Sequence, residues 1–170
     1  MPLSMSASDR DLGSVDDIDV EAIGEPGHRT FRLLLETGTI TAALWIEKEQ
    51  LEHLATIIEQ QVARVNRDRP SGPHPSLTLA TRFPSSPSIE LKVGRLGVGF
   101  DIELRKFVLT ADSIEPDEPG LSCTATQLQA EALSTKIVSV AAAGRPRCPL
   151  CGAPMGANHV CPASNGHVHV

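Results

Sequence analysis

The chain has 170 residues, a net charge of −6, 41% hydrophobic and 21% charged residues, and only four Phe and one Trp as aromatic side chains. This is the composition of an ordinary soluble protein, and it excludes a collagenous, fully disordered or membrane-spanning chain. The uneven feature is the C-terminus, because three of four cysteines and three of six histidines lie within residues 148–170.

The first residues carry no recognisable targeting signal. Met1 to Asp19 is polar and acidic, which excludes the apolar core of a signal peptide. The longest apolar runs, residues 40–46 and 137–143, are far shorter than the ~20 residues of a membrane-spanning helix. We therefore expect a cytoplasmic protein, and in that reducing compartment clustered cysteines indicate a metal site rather than disulfides.

The N-terminal part of the chain predicts a flexible tail followed by strands. Residues 1–14 are small and polar and predict the flexible tail. Alternation over Val15–Ile23 predicts a half-exposed strand with its acidic residues 16–21 on a solvated face, and Pro26-Gly27 fits the centre of a type II turn. Two apolar, β-branched runs, Thr30–Glu36 and Thr39–Ile46, predict a hairpin.

The middle of the chain predicts one long helix and one long loop. Glu47 to about Arg67 carries an apolar stripe at steps of three and four, with acidic residues near its start. Residues 68–88 are rich in Pro and Ser and predict a loop, within which Leu77–Phe83 could add a short edge strand. The members of the helical stripe are Leu51, Leu54, Ile58, Val62 and Val65.

The following segment predicts three strands and a second helix. Ile89–Phe100 alternates with a change of phase near Gly94-Arg95, which indicates a bulge. Lys106–Ala111 and Leu121–Ala125 are further strands, and Thr126 caps a helix that runs to about Ala143 before Gly144. Residues 15–144 thus predict an α+β domain, a mainly antiparallel sheet with two helices packed on one face.

Residues 145–170 predict a zinc-knuckle, ribbon-like tail. A tight Cys148-Pro-Leu-Cys151-Gly152 turn aims two sulfurs at one point, and Cys161 supplies a third. Zn²⁺ binds four N or S ligands as a tetrahedron, and Cys₃His is a common structural set. His159 is the preferred fourth ligand because it lies two residues from Cys161, on the same face of an extended strand. His167 stays open as the alternative, since it can fold back over the Asn165-Gly166 turn.

A structural zinc is favoured over other uses of these residues. No Asp or Glu follows Glu131, so a catalytic zinc would need a general base from the body of the protein. A redox Cys-x-x-Cys opens a helix after a strand, and the Pro and Gly around Cys148 and Cys151 disfavour that context.

Four other features have a simpler structural interpretation than a binding site. Gly24–Arg29 could hold an anion through turn amides and Arg29, but a plain turn is the simpler interpretation. The glycines at 94, 97 and 99 lie in a strand, so they lack the helix of a phosphate-binding loop. Cys123 is expected to be a buried thiol, and His53 is expected to be exposed on the first helix.

The sequence resembles the mainly actinobacterial domain-of-unknown-function family 3090 over roughly residues 18–170. The resemblance implies a small α+β protein that ends in Cys-Pro-x-Cys-Gly and His-x-Cys-Pro, and it implies no established activity. In the family pattern the position of His167 varies, which adds weight to His159. The stretches that carry the resemblance are Gly24-Glu-Pro-Gly-His-Arg-Thr-Phe31, Glu47-Lys-Glu-Gln50, Ala141-Ala-Ala-Gly-Arg-Pro146 and Cys148–Gly166.

Three functional hypotheses follow. The first is a non-enzymatic cytoplasmic binding or adaptor protein with a structural zinc site, another protein as its partner, no membrane association and an undetermined oligomeric state. The second is a metal-assisted hydrolase that uses an open zinc or the Gly24–Arg29 loop. The third is a zinc-ribbon nucleic-acid module based on Arg145 and Arg147. Because the tail holds these two arginines and no acid, the rest of the −6 chain carries −8 and repels phosphates.

Overall fold

Seven strands and two helices make up the fold. The computed structural model describes residues 10–68, 86–144, 147–153, 155 and 159–164. The elements are β1 (Arg10–Ser14), β2 (Asp17–Ile23), β3 (Thr30–Thr37), β4 (Ile40–Ile46), α1 (Lys48–Asp68), β5 (Ile89–Asp101), β6 (Lys106–Ser113), β7 (Leu121–Ala125) and α2 (Gln127–Ala142), followed by a 3₁₀ turn at Pro162–Ser164.

The sheet is mixed and closes on itself. Its order is β1-β7-β6-β5-β4-β3-β2, with parallel pairing of β1 to β7 and of β4 to β5 and antiparallel pairing elsewhere. The strands at the two ends of this order are joined by only Val15 and Asp16. The Val15 amide donates to Thr124 in β7 (2.9 Å), and the Asp16 amide donates to Glu36 in β3 (2.8 Å). The two ends of the sheet therefore meet at this bend.

The fold consists of two similar βββα units. In the first, the bent strand β1–β2 leads to β3, β4 and α1; in the second, the long strand β5 leads to β6, β7 and α2. The start of each first strand pairs in parallel with the last strand of the other unit, and its remainder pairs antiparallel with the next strand of its own unit. The two units thus exchange strand pairing in both directions, and an approximate two-fold axis relates them.

The helices carry the same repeat in their sequences. Five alternate positions are identical, Gln50, Glu52, Leu54, Thr56 and Ile58 in α1 and Gln129, Glu131, Leu133, Thr135 and Ile137 in α2. The contacts repeat as well, since the Thr56 hydroxyl donates to the Glu52 carbonyl (3.1 Å) and the Thr135 hydroxyl to the Glu131 carbonyl (3.0 Å).

The repeated glutamines connect each helix to a bend in the other unit. The Gln50 side-chain oxygen accepts from the Glu47 amide (3.0 Å), and its NH₂ group donates to the Gly94 carbonyl (3.2 Å). Gln129 accepts likewise from the Thr126 amide (2.9 Å) and donates to the carbonyls of Val15 (3.2 Å) and Asp16 (3.0 Å). Each glutamine thereby caps its own helix and satisfies backbone carbonyls where the partner unit's first strand bends.

One hydrophobic core joins the inner face of the sheet to the two helices. The helices also pack against each other near their centres, where the Ser134 hydroxyl donates to the Ala55 carbonyl (3.3 Å). The largest fully buried aliphatic side chains of the hydrophobic core are Leu33, Leu35, Leu44, Leu51, Leu54, Leu91, Leu121, Leu133, Ile137 and Val20.

Most of the predicted local elements are confirmed. The α+β class, the hairpin of β3 and β4, both helices and the bounds of β7 agree with the sequence analysis. Thr126 forms a complete capping box with Gln129. The pairing register of β5 shifts between Val93 and Arg95, which is the expected bulge.

One prediction about the N-terminal region is corrected. Residues 10–14, assigned to a flexible tail over 1–14, form β1, because their backbone pairs with β7 in a long-range contact that local composition does not reveal. The sheet is mainly antiparallel, as expected, but two of the pairings between its described strands are parallel. Residues 1–9 and 69–85, the latter including the predicted edge strand at 77–83, lie outside the described residues.

The acidic face of β2 is also not uniformly solvated. Asp19 is only 4% exposed, where the sequence predicted a solvated carboxylate. It accepts from Lys136 of α2 at 2.5 Å and from the Val20 amide at 2.7 Å. Packing of α2 against β2 accounts for this burial.

The repeated glutamines provide a test of the two-unit description. Gln50→Ala and Gln129→Ala should each lower the free energy of unfolding by about 1–2 kcal/mol, because each removes a cap and a bond to a bend carbonyl. Urea denaturation measures both effects, with the exposed Gln60 of α1 as the matched control, whose alanine variant should change stability by less than about 0.5 kcal/mol. If either glutamine variant behaves like Gln60→Ala, that helix is not held at the bend as described.

The ion pair of Asp19 makes a second prediction. Lys136→Met should cost about 2–3 kcal/mol, below the ~3–5 kcal/mol of a fully buried pair because the Lys136 side chain is 34% exposed. The exposed Lys92 of β5 is the control, and its Met variant should fall within about 0.5 kcal/mol of the unsubstituted protein. Equal stabilities of the two variants in thermal denaturation would contradict the role given to the pair.

Candidate metal centre

The first arm of the cluster is a tight turn that begins at Cys148. The Gly152 amide donates to the Cys148 carbonyl (2.9 Å), and the Cys148 amide donates to the Ala153 carbonyl (2.8 Å). Gly152 has φ +71°, a left-handed conformation that a residue without Cβ adopts at least cost. The glycine after the second cysteine thus closes the turn and turns both sulfurs the same way.

The second arm is a short extended segment ending in the 3₁₀ turn at Pro162–Ser164. His159 and Cys161 lie on one side of it, while Val160 between them is 65% exposed on the other. This is the shared face that the two-residue spacing predicted.

The two arms bring four donor atoms together. The ligand atoms of Cys148, Cys151, His159 and Cys161 all lie within 4.8 Å of one another. The sulfurs of Cys148 and Cys161 are 3.7 Å apart, and the Cys151 sulfur is 3.6 Å from Nε2 of His159. Cys148 and Cys161 are buried, at 4% and 1% exposure, whereas Cys151 and His159 are half-buried. The group can therefore hold a metal ion between its two arms.

Backbone amides within the first turn already favour a thiolate. Hydrogen bonds from the amides of Cys151 and Leu150 lower the pKa of the Cys148 thiol to about 6, with smaller contributions from His159 and Cys161. The Ala153 amide acts in the same direction on Cys151, but burial and the neighbouring cysteines outweigh it and leave the pKa of Cys151 raised. One thiolate is thus available at neutral pH for a cation.

The tail is attached directly to the end of α2. The Ala143 amide donates to the Ser139 carbonyl at the helix C-terminus (3.1 Å), and the Arg147 guanidinium donates to the Gly152 carbonyl (3.3 Å). Arg147 also borders a groove of about 440 Å³ whose other walls come from α1 and α2. Arg147, where the described part of the tail begins, therefore lies beside the helix pair.

The structure brings together the four residues that the sequence singled out. The spacing could not identify the amides of Leu150, Cys151 and Ala153 as the particular donors to sulfur, since that depends on the folded turn. The alternative ligand His167 lies outside the described residues, as does His169. The assignment of His159 as the fourth ligand stays a prediction. Its ring nitrogen lies within 4.8 Å of the three sulfurs.

The other features singled out in the sequence have structural roles. At Gly24–Arg29 the His28 amide donates to the Glu25 carbonyl (2.9 Å) and Gly27 has φ +95°, which makes this the expected type II turn. Burial, and to a lesser extent the charge of Asp11, raises the pKa of Cys123 to about 12, so this thiol is an inert part of the core. His53 is exposed on α1, and the glycines at 94, 97 and 99 lie within β5.

Comparison with known proteins gives a family. In the described part of the chain, no helix is long and apolar enough to cross a membrane. No curated protein and no solved structure matches the chain significantly. The model of one family, described as "Protein of unknown function (DUF3090)", matches residues 11–161, a span that includes every strand but the first residue of β1, both helices and all four candidate ligands. The chain therefore belongs to the DUF3090 family.

Proposed function

We propose that this protein is a non-enzymatic binding or adaptor protein of the cytoplasm whose C-terminal tail is folded by a structural Zn²⁺ ion. The observation that carries the proposal is the convergence of three sulfurs and one imidazole nitrogen within 4.8 Å. Three thiolates and an imidazole are the donors that select Zn²⁺ over Ca²⁺ or Mg²⁺, which bind oxygen.

The spacing of the donors supports zinc. With Zn–S bonds of about 2.3 Å and a Zn–N bond of about 2.0–2.1 Å, a tetrahedral site places two sulfurs about 3.8 Å apart and a sulfur and a nitrogen about 3.6 Å apart. The corresponding distances are 3.7 Å between the sulfurs of Cys148 and Cys161 and 3.6 Å between Cys151 and His159. The remaining donor pairs lie within 4.8 Å of one another.

The donor set favours a structural role over a catalytic one. Catalytic zinc sites use three protein ligands and leave the fourth position to water, whereas four protein donors converge here. Cys148 and Cys161 are also buried, which suits an ion that links two chain segments. The tail segments are short and poor in apolar side chains, so metal binding supplies the folding free energy that a hydrophobic core cannot.

The partner surface of this proposal is the outer side of the tail. Leu150, in the first arm, is 55% exposed and Val160, in the second, is 65% exposed, so both arms carry an uncovered apolar side chain beside the metal ligands. Zinc that fixes the arms also fixes these two side chains relative to each other. Exposed apolar groups held in a rigid arrangement are typical of protein-binding surfaces.

Two further observations bear on the proposed cytoplasmic location and on the choice of a protein rather than a nucleic acid as the partner. Three of the four cysteines lie together in the metal-capable group rather than in disulfides, the use of cysteine that a reducing cytoplasm favours. Arg147, which motivated a nucleic-acid hypothesis, donates to the Gly152 carbonyl and so has a local structural use. Neither the hydrolase nor the nucleic-acid hypothesis has an observation of this kind in its favour.

Metal analysis tests the zinc site directly. Protein purified under reducing conditions should contain about one zinc per chain, and Cys148→Ser should lose most of it. In ¹H–¹⁵N spectra the signals of the tail should then collapse to those of a disordered segment, while those of the two-helix domain persist.

The fourth cysteine supplies a matched control. Cys123→Ala removes a thiol from the core rather than from the cluster and should keep the full zinc content. Absence of stoichiometric zinc from the unsubstituted protein, or full zinc in Cys148→Ser, would overturn the assignment.

The adaptor role is tested by affinity purification from the native cell. A protein partner should be recovered in stoichiometric amount with the unsubstituted chain and lost with Leu150→Ser/Val160→Ser, which leaves all four ligands in place. Ile114→Ser is the control, because Ile114 is similarly exposed (62%) but lies after β6. Recovery of the partner by the double variant, or recovery of no partner at all, would count against the tail as an adaptor surface.

A further inference from the structure

A cavity lies at the far end of α1 and shares no residue with the metal cluster. It is an open cleft of about 530 Å³ between the last turns of α1 and the turn that joins β5 to β6. This volume is within the range of about 300–1,000 Å³ that is typical of small-molecule sites. Its lining includes Gln61, Arg64, Val65, Phe100, Ile102 and Arg105.

One wall of the cavity is apolar and rigid. Phe100 is held edge-on by Phe107 of the neighbouring strand, with ring centroids 5.2 Å apart and an interplanar angle of 71°. Val65 of α1 adds a half-buried aliphatic surface, and Ile102 is 83% exposed at the mouth. An aliphatic side chain that is so uncovered beside an apolar wall leaves surface that a ligand's hydrocarbon part can cover.

Two unpaired positive charges face the same space. Arg64 and Arg105 both line the cavity, and neither forms an ion pair with another described residue. Guanidinium groups bind carboxylates through paired, charge-assisted hydrogen bonds. In a chain with a net charge of −6, two unpaired arginines at one cavity are a local exception to the prevailing charge.

The backbone at Arg105 is strained in a way that positions its side chain. Arg105 has φ +54° and is the one non-glycine residue with positive φ in the part of the chain that the structure describes. The turn that imposes this conformation is fixed by the Asp101 carboxylate, which accepts from the amides of Glu103 and Leu104, each at 2.9 Å. Glycine would suit this position better, and the strain at Arg105 is consistent with a use of its guanidinium at the cavity.

We propose that this cavity binds a small amphipathic carboxylate, with its head group on Arg64 and Arg105 and its hydrocarbon body against Phe100, Val65 and Ile102. Gln61 adds a neutral donor beside the arginines. Asp68 is the acidic member of the lining and sets a limit on affinity through repulsion of the head group.

The experiment uses the full chain and decanoate as the ligand, titrated by calorimetry and mapped in ¹H–¹⁵N spectra. Decanoate should bind saturably with a Kd on the order of 0.1–1 mM, given the affinity per atom typical of ligands of this size. Its shifts should concentrate at Phe100, Ile102 and the last turns of α1. The neutral analogue 1-decanol should bind at least tenfold more weakly, since it lacks the charge that pairs with the arginines.

Variants separate a built site from general hydrophobic adsorption. Arg64→Gln and Arg105→Gln should each raise the Kd about tenfold, and Asp68→Asn should lower it two- to threefold. Arg67→Gln is the matched control on the same helix, outside the lining, and should change the Kd by less than twofold. Arg105→Gly relieves the strained φ, so it should weaken binding as much as Arg105→Gln without lowering the Tm.

Three results would overturn the proposal: no saturable binding of decanoate, equal affinity for decanoate and decanol, or unchanged binding by Arg64→Gln and Arg105→Gln. The test is independent of the zinc site, because Cys148→Ser leaves every lining residue of this cavity in place. That variant should bind decanoate with unchanged affinity whether or not the tail holds zinc.

Discussion

The bends in the two long strands are the constraint on which the rest of the fold depends. Each first strand must pair with the other unit at its start and with its own unit afterwards, and the change of partner leaves bend carbonyls without a strand neighbour. Gln129 satisfies those of Val15 and Asp16, and Gln50 satisfies that of Gly94. A Cβ at Gly94 would lie 3.2 Å from the Ser113 carbonyl oxygen, so a larger residue would require β6 to shift by a few tenths of an ångström. The same glutamines cap the helices. Closure of the sheet and placement of the helices therefore depend on the same two side chains.

That coupling also explains why the chain folds as a single body despite its repeat. Neither βββα unit can pair the start of its first strand alone, because the partner strand belongs to the other unit. The helices meet at equivalent residues of the repeat, since the Ser134 hydroxyl donates to the carbonyl of Ala55, its counterpart in the first unit. The tail lies outside this arrangement, since it begins only after α2 ends. A segment without access to that core needs another source of order, and four converging N and S donors provide one.

The sequence predicted what depends on neighbours along the chain. The apolar stripe of α1, the Thr126 cap, the Pro26-Gly27 turn and the four-residue cluster are all local patterns, and the structure shows each of them. It did not predict β1, because Arg10–Ser14 is a strand only through pairing with β7. Burial of Asp19 likewise depends on Lys136 from the distant α2. The repeat was visible in principle, as Gln-x-Glu-x-Leu-x-Thr-x-Ile occurs in both helices, but its alternate spacing is unlike the three- and four-residue steps of an apolar stripe.

The two units differ where they leave their common pattern, and the candidate sites lie at those differences. After α2 the chain enters the metal-capable turn, whereas the end of α1 lines the cavity that contains Arg105. The turns that precede β3 and β6 are equivalent in the repeat, and each ends in an arginine, Arg29 or Arg105, immediately before the strand. In the first unit Gly27 takes the positive φ of a relaxed turn, whereas in the second the arginine itself takes it. The shared scaffold thus carries its two candidate sites where the units differ, which is how sites are built on a common fold.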